Sequence, residues 1–182
     1  MTWQVDQSHS HVSFSVRHMM ISKVRGQFEN FEIEIDFNEQ EPVRSSVDAR
    51  IEIASINTND AQRDEHLKSA DFLEAEKYPY ITFTSKRIEK IDERQGRIIG
   101  DLTIRDITRE VVLDVEYAGT LQNPWGILTT GASAETTINR KEWGLTWNQA
   151  LETGGVLVGD EVKINIELEL LKQPEEEAEA VA

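Results

Sequence analysis

Apolar and polar residues alternate with a period of two along most of this chain, the period of a β-strand with one dry and one wet face. Between 31 and 37 the odd positions Phe31, Ile33, Ile35 and Phe37 are apolar, and Glu32, Glu34 and Asp36 fall between them. The pattern returns over 47–53, 111–117 and 162–170, and more weakly over 12–18, 80–88, 97–104 and 131–138, for a total of about eight strands. Turn-forming residues at 38–42, 92–96, 106–108 and 119–126, and the pairs Gly154-Gly155 and Gly159-Asp160, separate them. Connections this short join antiparallel neighbours, and Gly26, Gly100 and Gly131 mark bends that let a sheet curl. The expected fold is therefore all-β: an eight-stranded antiparallel barrel.

One stretch, 56–79, breaks the alternation. Asn59 followed by Gln62, and Asp71 followed by Glu74, have the spacing of capped helix starts before Tyr78-Pro79 restores extended chain. One or two short helices are expected there, covering a barrel end or an edge. An eight-stranded barrel is just wide enough to be filled by its own side chains or to hold one small ligand. Alternation fits both a dry core and an apolar cavity.

Charge narrows the functions. Asp and Glu number 34 against 19 Lys and Arg, giving a net charge of −15 and an isoelectric point near 4.6. Such a surface repels phosphate backbones and anionic headgroups, so nucleic acid is not an expected partner. The absence of cysteine removes disulfides, thiolate nucleophiles and iron–sulfur clusters. No stretch approaches the ~20 apolar residues of a membrane span, so no integral membrane insertion is expected. The opening residues lack a secretion signal, which points to the cytoplasm. The domain is expected over 1–172, with the acidic residues 173–182 as a disordered tail.

His9 and His11 share a face with Cα atoms ~7 Å apart if extended, but neither Asp6 nor His18 completes a convincing metal set, and no metal or cofactor is expected. A nucleophile elbow of the form Gly-x-Ser-x-Gly is absent, and the carboxylates fall on wet faces, so no enzyme activity is expected. The GGVLVG run has the glycines of a phosphate loop without its Lys or helix and is expected to be a hairpin.

Four collinear stretches resemble the YceI-like family: DQSHSHVSFSVRHMMISKVRGQF, SINTNDAQRDEHLKSADFLEAEKYPYITFTS, GDLTIRDITREVVLDVEYAG and TINRKEWGLTWNQALETGGVLVGDEVKI. The resemblance implies a lipocalin-like barrel with an elongated apolar pore for a polyisoprenoid or isoprenoid quinone. Carried onto this chain, the lining comprises Phe14, Val16, Phe31, Ile33, Ile35, Phe83, Leu102, Ile104, Val111 and Leu113. Met19 and Met20 are expected near the mouth, and Trp143 and Trp147 at the other loop. Asp64 and His66 match the family pattern, but contacts tying the helix to the barrel are enough to explain them. Arg17, Arg109 and Arg140 are candidates for a polar or phosphate headgroup, since guanidinium suits phosphate bidentately; Arg140→Ala is then expected to change headgroup preference. Relatives often form homodimers, and an exposed strand face is available for pairing. Leu73 after Asp71-Phe72, and Arg105-Asp106 after Ile104, depart from the family pattern and bear on what fits at the mouth. The alternative is a stress-response or protein-interaction module with a packed barrel. Small residues such as Ala49 and Ala134 beside Phe31 favour the cavity.

Overall fold

The computed structural model describes residues 2–174; the expected tail beyond 174 lies outside the described residues. Its strands are β1 (Trp3–Val5), β2 (His11–His18), β3 (Ser22–Phe28), β4 (Phe31–Asp36), β5 (Ser46–Glu52), β6 (Ile56–Asn57), β7 (Tyr80–Lys90), β8 (Gln95–Ile104), β9 (Ile107–Gln122), β10 (Leu128–Asn139) and β11 (Val158–Lys172), with one helix, α1 (Ala61–Lys68). All strand pairs are antiparallel.

These eleven segments occupy eight lanes. β1 and β2 both pair with β11, interrupted by the 3-10 turn Gln7–His9. β3 pairs with β6, and β4 with β5, so the consecutive pairs β3–β4 and β5–β6 form two neighbouring lanes, each broken once. Across those breaks Glu29 N–H donates to Ser55 O (3.2 Å) and Glu52 N–H to Asn30 O (3.0 Å). The β2–β3 and β11–β2 ladders then return the sheet to its start, making an up-and-down barrel. The expected eight strands are these lanes, each detected by its alternating part. β3 went unread because its inward positions are Val24, Gly26 and Phe28, with a glycine where the apolar pattern needs a side chain.

The structure differs from the expected caps and turns in four places. The helix is capped by Asp60, whose carboxylate accepts from Gln62 N–H and Arg63 N–H (both 3.1 Å), while Asn59 is left-handed (φ 61°). No second helix follows Asp71, because Glu74 is also left-handed (φ 50°) and closes a turn through Tyr78 N–H. Gly119 lies inside β9 with φ 93°, opposite a register shift at Gly131/Ala132, and the hairpin turns later, where Asn123 Oδ1 accepts from Trp125 and Ile127 N–H. Gly159-Asp160 likewise falls in β11, at a register shift between Val158 and Val162.

Gly100 is held by close approach. A Cβ there would stand 2.5 Å from both the Phe83 ring and the Thr84 carbonyl oxygen. Gly100→Ala is expected to cost ~1–3 kcal/mol by overpacking, measured by urea unfolding; an unchanged midpoint would show that the Phe83 ring moves freely.

Candidate functional site

A cavity of about 710 Å³ runs along the barrel axis and reaches both ends. Its middle is walled by the inward faces of every lane, with Phe14, Ile33, Ala49, Phe83, Leu102, Val111, Leu113, Ala134 and Ile164 among them and no charged side chain. This follows from strand periodicity: each inward apolar residue has a charged or polar neighbour pointing out. Small residues at 49 and 134 keep the lumen open where larger ones would meet. At one end Phe37 lies between Trp3 (5.8 Å) and Tyr117 (6.2 Å), an aromatic row narrowing the passage.

The opposite end is covered by α1 and the 140–158 segment. Leu67 and His66 of α1 face the cavity, and the His66 ring stands edge-on to Trp147 (4.6 Å) and Phe72 (5.1 Å) while bonding Asp71 (2.9 Å). Asp64 accepts from Thr58 N–H (2.9 Å) and Oγ1 (2.5 Å), and Arg63 donates to Thr58 Oγ1 and O (2.8 and 2.7 Å). The structure thus gives Asp64 and His66 the tying role expected of them.

Of the residues expected to line a pore, Phe14, Val16, Ile33, Ile35, Phe83, Leu102, Ile104, Val111, Leu113 and Trp147 face the cavity. Phe31 is buried in the surrounding core instead. Trp143 is 1% exposed, and its indole N–H donates to Leu102 O (3.0 Å), so it wedges the 140–144 turn onto β8. Met19 and Met20 are exposed at the β2–β3 turn, outside the wall and at the same end as Trp147.

The three arginines separate. Arg109 is exposed and donates to Glu142 O (2.8 Å), away from the cavity. Arg17 lies on the rim. Arg140 is 3% exposed and donates to the carbonyls of Gly159 (2.8 Å), Leu145 (2.5 Å), Trp147 (2.9 Å) and Val158 (3.4 Å). Burial pushes its pKa down against the pull of Asp160, but a guanidinium stays charged at any physiological pH. Four of its five N–H donors go to backbone carbonyls, which makes it a clamp on the 140–159 segment at the edge of the cavity. Arg63, His66, Phe37 and Tyr117 also wall the cavity; Phe37 and Tyr117 stand in phase with the apolar faces of 31–37 and 111–117, whereas the only sequence signal for Arg63 and His66 was their place near the helix start.

Among the described residues, one cluster with metal-ligand chemistry lies outside the barrel: Asp6, His9 and Glu169. Hydrogen bonds from Ser8 and then His9 hold the Asp6 carboxyl at about 2, and Asp6 raises the His9 pKa. Asp6 therefore stabilises the fold above the ordinary aspartate range and loses this contribution as pH falls toward 2; the His9 contribution is present below its unfolded pKa near 6.5 and disappears as pH rises through its raised folded value. The His9–Asp6 bond is strongest between those limits. Asp6→Asn is expected to cost more melting temperature at pH 5, where His9 is charged, than at alkaline pH, once the imidazole has lost its proton; equal losses would show that only the cap to Ser8 matters.

A YceI-like domain model matches residues 3–170. A UPF0312 protein of Staphylococcus aureus strain USA300 is 40% identical over 167 residues, covering 90% of this chain and 94% of the relative. The Campylobacter jejuni YCEI protein superposes with a TM-score of 0.75 at 35% identity, covering 87% of this chain and 90% of that one. In fold alone, the chain is similar to a polyisoprenoid binding domain from Saccharophagus degradans (TM-score 0.64, 12% identity, 95% and 99% covered).

Proposed function

The chain belongs to the YceI-like family, and from that premise we propose that its barrel carries one long-chain isoprenoid lipid, a polyprenol, polyprenyl phosphate or isoprenoid quinone, without chemical change. The observation that carries this reading is the uncharged, apolar middle of the lumen. At ~3.4 Å per residue and a tilt of ~40°, the ten residues of β8 set the ends roughly 25 Å apart. Spread over that length, 710 Å³ leaves a cross-section on the order of 30 Å², room for a single hydrocarbon chain. The volume falls within the ~300–1,000 Å³ of small-molecule sites. Burial of the tail drives binding at ~25 cal/mol per Å² of apolar surface. The choice of an isoprenoid over a straight chain is supported by the Saccharophagus domain's ligand class.

Because Trp147 lines the lumen, a quinone with an isoprenoid tail is expected to quench its fluorescence, saturating at one equivalent, and Trp147→Phe is expected to remove most of the signal. Tighter binding of a straight-chain fatty acid would overturn the isoprenoid assignment.

A further inference from the structure

The β2–β3 hairpin departs in charge and conformation from the rest of the molecule. From His11 to Phe28 there is no acidic residue, in a chain of net charge −15. Its outer face carries Arg17, Lys23 and Arg25, with Arg17 directly opposite Lys23 in register, an arrangement that costs stability. Among the described residues none of the three makes an ion pair; across the sheet the start of β11 offers Asp160, which pairs with Lys141 (3.3 Å), and Glu161.

The turn itself is strained. Met19 and Met20 both have left-handed backbones (φ 53° and 63°), a conformation that residues other than Gly, Asn and Asp rarely adopt. The three tip residues are apolar and project into solvent: Met20 is 60% exposed and Ile21 79%. Met19 N–H donates to Leu157 O (2.9 Å), and Leu157, His18 and Val24 face the cavity, so the finger is joined to the wall of the helix-covered end.

We propose that this hairpin docks the barrel on an anionic lipid bilayer, with the Met19-Met20-Ile21 tip entering the interface and Arg17, Lys23 and Arg25 meeting the headgroups. The inference rests on the carrier reading above, since a bilayer is where a long isoprenoid is collected or delivered. Apolar residues beside lysine and arginine are the composition that holds interfacial segments on membranes. The net negative charge does not prevent this: at ~0.1 M salt, charges beyond ~10 Å are largely screened, and the bilayer meets the local basic face.

The test is flotation of the full-length protein with vesicles of phosphatidylcholine alone or containing 30% phosphatidylglycerol. Wild type is expected to float with the anionic vesicles and to be released by about 0.5 M NaCl. Lys23→Glu/Arg25→Glu, and separately Met20→Ser/Ile21→Ser, are each expected to lower partitioning at least ~tenfold. Both are expected to bind quinone in solution as wild type does, which separates docking from carrying. Absence of wild-type binding, equal binding to both vesicle types, or retention by both variants would overturn the proposal; loss of quinone binding by wild type would instead overturn the carrier reading.

Discussion

Replacing Ala134 by Trp is expected to weaken quinone uptake at least ~100-fold, on the order of 2.7 kcal/mol, while leaving the fold intact. Ala134 faces the lumen from mid-β10, between Val115 of β9 and Ile166 of β11 in register. An indole there brings ~150–250 Å² of side chain into space that the tail would otherwise fill. Overpacking a dense core costs ~1–3 kcal/mol, but here the added ring enters a void, so the melting temperature is expected to move by only a few degrees. Thr137→Trp, on the wet face of the same strand, is the control and should bind as wild type does. Uptake unchanged in Ala134→Trp would mean that the ligand lies outside the lumen.

Arg140→Ala is expected to destabilise the protein by about 3–5 kcal/mol, lowering the melting temperature by roughly 10 °C or more. The substitution strips hydrogen bonds from four carbonyls, those of Leu145, Trp147, Val158 and Gly159, in a place water reaches poorly. A carbonyl left unpaired in the interior costs ~1–3 kcal/mol, less in sum where the loop can relax toward solvent. Arg140→Lys should recover only part of the loss, because an ammonium cannot present the planar fork that reaches carbonyls on both sides. Denaturant midpoints compared with binding at low temperature distinguish this clamp from a headgroup contact: full stability with altered ligand preference would restore the headgroup role.

The lanes of the barrel were legible because alternation reports which face of a strand is dry, and eight segments carried enough apolar residues to show it. Pieces that serve as short splices, β1 and β6 at three and two residues, carry no period to read. β3 hid behind Gly26, where a Cβ would strike the Phe14 ring at 2.5 Å. Alternation alone left the lumen undecided, because a dry face is the same in sequence whether it meets another side chain or a void; the small residues Ala49 and Ala134 and the family resemblance favoured the void. The clamp that Arg140 makes was not legible in the sequence. A charged residue reads as surface until the carbonyls that surround it are placed, and those come from 145, 147, 158 and 159, which only the folded loop assembles. Trp143 and Trp147, four residues apart, looked alike and do different things: one fixes the turn to Leu102 O, the other faces the cavity.

Whether the lumen holds one isoprenoid chain is read out by native mass spectrometry of the purified protein, followed by organic extraction and lipid identification. A single bound lipid per chain is expected, isoprenoid in the extract and absent from Ala134→Trp. Ligand-free protein that also takes up neither an added quinone nor a polyprenyl phosphate would contradict it.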